Sequence, residues 1–340
     1  MRHGFVKVAA ATPKIKVADT VYNTEQIRLL MTESAAWGAR ITVFPELCIT
    51  GYTCQDLFLQ EKLIAGAKDA LMQLAEASAS IPGIYFVGLP YEINGKLYNV
   101  AAAISDGQVL GMVPKSWIPN YNEFYEMRHF ASGAELSTDV TLPDGSEVLV
   151  DREQLFVCEQ MNKLKIGVEL CEDLWTPNPP SIAHALAGAD VIVNLSASNE
   201  ITGKSAYRKE LVCGQSARLV SAYIYASAGE GESTQDLVFS GHNLIAENGR
   251  LLAESKRFGY GVIYTEIDVE KLIAERRRMT TFATQDGYAE TSFELEPEET
   301  KLTRYIDPAP FVPGNKDERD KRCDEILMIQ AMGLKKRLEH

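Results

Sequence analysis

Leu164-Lys-Ile-Gly-Val-Glu-Leu170 runs without a break into Cys171-Glu-Asp-Leu-Trp175. The first seven residues carry Leu, Ile and Val in a short run, which predicts a buried strand over 164–170. A helix around 181–188 and a second strand over 191–195 follow. Strand, helix, strand in that order is the pattern of a parallel sheet with a helix laid on its face. The thiol stands where the first strand gives out.

The same alternation extends toward the N-terminus. Strands are expected over 6–11, over 41–44 ahead of Pro45, and over 84–89, with helices over 20–36 and 61–79 between them. Two further strands, 97–105 and 109–113, flank Asp106-Gly107, a hairpin signal. From residue 223 the spacing tightens. Strands are expected over 223–228, 237–239, 243–246, 251–254 and 261–267, with a tight turn at Asn248-Gly249. Buried parallel strands followed by antiparallel additions predict an α/β fold of two packed sheets with helices outside, closing near residue 280. The stretch 285–320 is rich in Glu, Asp, Pro and Thr, with Pro308, Pro310 and Pro313 close together, and reads as a linker or extended arm. Helical periodicity returns over 317–338. The division is therefore 1–280 for a first domain and 281–340 for an arm and a C-terminal helix.

Composition narrows the function classes. With 34 Lys plus Arg against 47 Asp plus Glu, the formal charge is −13 over 340 residues. That balance argues against nucleic acid or an anionic membrane surface as partner, because both need clustered cations. No apolar run approaches the roughly 18 residues of a membrane span, and Lys7, Lys14 and Lys16 interrupt any signal-peptide core. The six cysteines form no Cys-x-x-Cys pair and read as reduced thiols in a cytoplasmic chain. No His-x-x-x-His or Cys/His cluster supports a metal site.

Three charged or reactive groups leave hydrophobic strands: Glu46 after Val43-Phe-Pro, Lys115 after Val113-Pro, and Cys171. Ligands bind at the carboxyl ends of such strands. A cysteine opening a helix meets unpaired N–H groups that favour the thiolate, although a small buried residue fits the local context as well. A buried Glu46 could take the thiol proton and return it to a leaving amine. Lys115 could stabilise the thiolate and, with the backbone N–H of Glu172, a developing oxyanion. The trio describes acyl transfer from an amide or nitrile through a thioester.

Phe44-Pro-Glu46, Pro114-Lys115 and Val168-Glu-Leu-Cys171-Glu-Asp-Leu-Trp175 resemble the Glu-Lys-Cys signature of the nitrilase superfamily. The glutaminase domains of bacterial glutamine-dependent NAD synthetases are more similar still. Thr12-Pro-Lys-Ile-Lys-Val-Ala-Asp19, Gly51-Tyr-Thr-Cys-Gln-Asp-Leu-Phe58, Pro119-Asn-Tyr-Asn-Glu-Phe-Tyr-Glu-Met-Arg128 and Gly229-Glu-Gly-Glu-Ser-Thr234 carry that likeness. The resemblance implies a four-layer αββα sandwich and a glutamine amidohydrolase. Glu46 would be the base, Lys115 the oxyanion-stabilising cation, Cys171 the nucleophile and Glu123 an additional carboxylate near them. Tyr121, Ser198 and Lys204 would contact the α-amino and carboxylate groups of L-glutamine, with Tyr52 and Glu172 as pocket neighbours. It also implies a homo-oligomer and a synthetase domain as partner, using ATP and Mg to convert deamido-NAD. No Ser-Gly-Gly-x-Asp-Ser loop occurs in these residues, so no cofactor is expected in this domain. A free-standing hydrolase of another small amide, or a module whose task is assembly, remain the alternatives.

Overall fold

The computed structural model describes residues 4–161, 164–296 and 299–339. The chain divides into a unit over Met1–Leu302 and a second over Thr303–His340. In the first unit the strands and helices are β1 (Phe5–Thr12), α1 (Thr20–Ala36), β2 (Ile41–Val43), α2 (Glu61–Ser78), β3 (Ile84–Ile93), β4 (Lys96–Ser105), β5 (Gln108–Pro114), β6 (Ser137–Thr141) and β7 (Glu147–Asp151). Then come β8 (Gln154–Cys158), β9 (Leu164–Leu170), α3 (Pro180–Leu186), β10 (Val191–Ser196), α4 (Lys204–Leu219), β11 (Ala222–Ser227), β12 (Leu244–Glu247) and β13 (Arg250–Glu254). Last are β14 (Gly261–Asp268), α5 (Val269–Arg278) and β15 (Ala289–Phe293).

Two sheets result. One has the order β14-β1-β2-β3-β4-β5-β7-β6 and the other β13-β12-β11-β10-β9-β8-β15. Their centres are parallel, β1 with β2 and β3, and β9 with β10 and β11, while the hairpins add antiparallel neighbours. Central strands buried on both faces explain why 6–11 and 191–195 read as largely apolar runs without alternation, with Lys7 and Asn194 their polar members. Between the sheets, Val8, Ile41 and Phe86 meet Phe156, Ile166 and Val193. Phe86 and Phe156 pack edge to face at 5.7 Å. Each such side chain removed from water contributes roughly 1.5–3 kcal/mol, so this layer holds the sheets together. Outside, Ile27 and Met31 of α1 and Leu71 and Leu74 of α2 cover the first sheet. Val212 and Leu219 of α4 and Ala185 of α3 cover the second. The layers are helix, sheet, sheet, helix.

Three expectations change. The run 237–239 makes only an isolated bridge, Phe239 with Asn199, because the chain there crosses the strand ends instead of extending the sheet. Strands β6, β7 and β8 appear where none was expected. The first unit does not close at 280. Although the segment is polar, β15 pairs in parallel with β8, and Phe293 and Leu295 are buried. Alternate residues of a strand can be polar when one face is wet, and composition alone cannot register that.

In the second unit, α6 (Lys316–Leu338) is capped by Asn315, whose side chain accepts from the N–H groups of Asp317 and Glu318 at 2.8 and 3.4 Å. Acidic residues fill its first turn and Lys335, Lys336 and Arg337 its last, complementing the helix dipole. No helix among the described residues is long and apolar enough to cross a membrane.

Candidate active site

Glu46 lies three residues beyond β2, while Lys115 directly follows β5 and Cys171 directly follows β9. The Glu46 N–H donates to the carbonyl of Ser196 at 3.3 Å, joining the two sheets at this edge. The turn bearing Glu46 passes so close to β3 that a Cβ at Gly88 would lie 2.3 Å from the Leu47 nitrogen. Only glycine admits that approach.

All three side chains are buried, at 0%, 1% and 5% exposure. The Lys115 Nζ donates to Glu46 Oε1 at 2.6 Å and to both carboxylate oxygens of Glu126 at 2.8 Å. Asn99 Nδ2 donates to the same Glu46 oxygen at 2.7 Å. The other, Oε2, is buried and has no hydrogen-bond partner among the described residues. Tyr52 donates its hydroxyl to Glu126 Oε1 at 2.7 Å. Burial alone would lower the Lys115 pKa, but the charges of Glu126 and Glu46 outweigh it and hold the ammonium well above its usual range. Glu126 is pushed up to about 7 by burial, with Lys115 opposing and Glu46 adding to the rise.

At Cys171 the thiolate-favouring pull expected of a helix start is outweighed. Burial and then the Glu46 charge push its thiol up, and Lys115 only partly offsets them. The Cys171–Trp175 segment is a single 3₁₀ turn, too short for a helix dipole to compete with burial. Held as a thiol, Cys171 needs a proton acceptor before it can react, and the buried Oε2 of Glu46 is an acceptor with no hydrogen-bond partner among the described residues.

Glu123 is also corrected. It is half-buried, accepts a hydrogen bond from Asn199 Nδ2, and does not reach Lys115. The carboxylate at the trio is Glu126, carried inward by the 3₁₀ turn Glu126–Arg128. No regular element spans 116–125, so sequence spacing could not tell which of the two glutamates turns in. Of the other predicted residues, Tyr52 reaches the trio through Glu126, and Tyr121 donates to Glu172 Oε1 at 2.8 Å on the half-exposed rim. Lys204 donates to Asn199 Oδ1 and stands over the rings of Trp175 and Phe124 at 5.0 and 5.8 Å. Ser198 is buried and accepts from Arg208 at 3.3 Å.

Sequence reasoning missed several supports. Asp173 accepts from Leu170 N–H at 3.0 Å and Trp117 N–H at 2.8 Å, tying the cysteine turn to the segment after Lys115, and burial pushes its pKa up to about 7. Arg208, fully buried, also donates to the Asn199 carbonyl at 3.0 Å and to His242 Nδ1 at 2.9 Å. Because arginine only donates, His242 carries its proton on Nε2, facing Glu254 at 3.0 Å. Asn99 had left a signal, an amide inside an apolar strand. No group of three His, Cys, Asp or Glu side chains among the described residues could hold a metal ion.

The carboxylate and ammonium leave strands of the first sheet and the thiol a strand of the second, not one sheet as the sequence suggested. The three buried together suit attack on the carbon of an amide C–N bond. The sequence matches the carbon-nitrogen hydrolase family model over residues 7–277. The chain belongs to the carbon-nitrogen hydrolase family. Within it, this hydrolase is 39% identical, over 99% of its length, to a glutamine-dependent NAD(+) synthetase of Mycobacterium tuberculosis, of which it covers 51%. The chain thus spans about half the length of the curated relatives it matches. Its fold is similar to a glutamine-dependent NAD(+) synthetase from Cytophaga hutchinsonii, with a TM-score of 0.70 and 29% identity over 77% of this chain and 43% of that one. A carbon-nitrogen hydrolase from Helicobacter pylori shares the fold at a TM-score of 0.66 and 18% identity, over 81% and 93% of the two chains.

Proposed function

We propose that this hydrolase releases ammonia from L-glutamine through a thioester on Cys171. The observation that carries the chemistry is the unpartnered Oε2 of Glu46 beside a neutral thiol and a fixed ammonium. Glu46 takes the thiol proton as sulfur bonds to the side-chain amide carbon. The oxyanion is met by Lys115 and the N–H of Glu172. All three N–H groups of Lys115 already face carboxylate oxygens, so serving the oxyanion requires one bond to Glu126 to be released. Glu46 then gives its proton to the departing nitrogen, which leaves as ammonia. Water, deprotonated by Glu46, attacks the thioester and frees glutamate and the thiol.

Glutamine as substrate rests on the relatives' names and on the rim. Lys204 offers a cation for an α-carboxylate, and Glu172, Tyr121 and Ser198 offer acceptors for an α-ammonium. In the same reading the ammonia passes to a synthetase domain that amidates deamido-NAD using ATP and Mg²⁺, and the hydrolase itself needs no cofactor. The chain would act in the cytoplasm, where a thiol nucleophile stays reduced, and within a homo-oligomer. Glutamate release from glutamine, compared with turnover of N-carbamoyl amines and with Cys171→Ala, tests the proposal. Preference for the carbamoyl substrates, or full activity without Cys171, would overturn it.

A further inference from the structure

Cys171 has φ of +41°, a left-handed backbone conformation sparsely populated by residues with side chains. Something must hold it there. Its own N–H donates to Asn194 Oδ1, on the neighbouring strand β10, at 3.2 Å. An asparagine amide can present either oxygen or nitrogen, and only the oxygen can accept this bond. What fixes the choice lies at the other end of the amide. Asn194 Nδ2 donates to the Tyr223 hydroxyl oxygen at 3.0 Å, and the Tyr223 hydrogen is committed to Glu169 Oε1. The second oxygen of Glu169 accepts from the Ser181 N–H at 2.8 Å, at the start of α3. Asn194 and Tyr223 are fully buried and Glu169 is 1% exposed.

Glu169, Asn194 and Tyr223 come from three adjacent strands, β9, β10 and β11. Asn194 stands opposite Glu169 in the β9–β10 register, and Tyr223 lies two residues before Tyr225, its partner on β11. All face the helix-covered side of the second sheet, away from the layer between the sheets. Hydrophobic packing alone would favour apolar residues at such positions. A satisfied polar chain there specifies one arrangement instead of merely filling space.

We infer that Asn194, oriented by Tyr223 and Glu169, is a positioning residue that locks the strained backbone of Cys171 and so aims its thiol at the Glu46–Lys115 pair. Asn194 does not touch substrate, and its effect passes entirely through the Cys171 peptide. The inference rests on the amide-hydrolysis reading for its kinetic arm but not for its labelling arm.

Tyr223→Phe and Asn194→Asp in the full chain test it by two readouts. One is glutamine hydrolysis. The other is the iodoacetamide alkylation rate of Cys171 against pH, read by peptide mass spectrometry, which needs no substrate assignment. A displaced nucleophile costs on the order of 10²-fold, so Tyr223→Phe should lower kcat about 10–100-fold with KM within about threefold, and slow alkylation. Asn194→Asp should be worse at alkaline pH and recover as pH falls. A protonated carboxyl again offers C=O to Cys171 and O–H to Tyr223, so the variant-to-native rate ratio should rise about tenfold from about pH 8.5 to about pH 6. Native alkylation profiles in both variants would overturn the inference, whatever their melting temperatures. Native labelling beside impaired glutamine turnover would also overturn it. Absence of glutamine turnover in the native chain, with altered labelling in the variants, would overturn the substrate and leave the positioning role supported.

Discussion

Replacing Glu126 with glutamine separates what this carboxylate does for the fold from what it does for the chemistry. Removing one partner of a buried ion pair ordinarily costs about 3–5 kcal/mol, because the other charge is stranded. Lys115 would not be stranded, since Glu46 remains 2.6 Å away. The opposing term is ionisation. Burial raises the Glu126 pKa from 4.5 to about 7 despite Lys115, so holding it ionised costs the folded state about 3 kcal/mol. Below about pH 4.5 the residue is protonated in folded and unfolded chains alike and resembles glutamine. As pH rises toward 7 the unfolded chain ionises first, and the native protein loses stability that the variant keeps. Glu126→Gln should therefore match the native chain near pH 4.5 and exceed it by about 3 kcal/mol at pH 8, measured by urea denaturation at both. Hydrolysis should fall about 10²–10⁴-fold, because the second anion holding Lys115 is gone. A variant less stable than native at pH 8, by an amount that does not change with pH, would refute this reasoning.

Lys115→Ala removes the cation that two buried carboxylates share, so kcat should drop by about 10²-fold or more and the midpoint of Cys171 alkylation should move to higher pH; an unchanged midpoint would show that the ammonium does not act on the thiol. Gly88→Ala places a methyl 2.3 Å from the Leu47 nitrogen, and a lower melting temperature with loss of turnover is expected from the displaced Glu46 turn. Lys204→Gln should raise KM for glutamine by about tenfold, roughly 1.4 kcal/mol, with kcat little changed; a pure kcat effect would place Lys204 in the chemistry.

Most of the scaffold around the trio was legible because strands announce themselves by composition and each reactive residue stands just past one. Val43-Phe-Pro-Glu46, Val113-Pro-Lys115 and Leu170-Cys171 are the same event three times, an apolar run ending in a functional group. Glu126 had no such marker. It sits in a segment whose only regular piece is a turn of three residues, and its inward aim depends on backbone bonds invisible to periodicity. The weight of burial on the Cys171 thiol was hidden for a related reason: a dipole can be inferred from neighbours in sequence, but the charges and packing around the thiol come from the other sheet. Asn194 and Tyr223 read as core strand residues, which they are. Their hydrogen bonds exist only because three strands lie in one register.

The late return of β15 has a practical consequence for anyone trimming this chain. A cut at residue 280 spares Glu46, Lys115, Cys171 and every rim residue, so it would look harmless on a map of the site. It would nevertheless strip the parallel partner from β8, whose Gln154, Leu155, Phe156, Val157 and Cys158 are all buried. The bared backbone and its apolar side chains would form an open edge able to recruit another chain. Such a shortened protein would fail by sticking to itself while its reactive groups remained in place. Ending the unit after Leu302 instead keeps that edge paired.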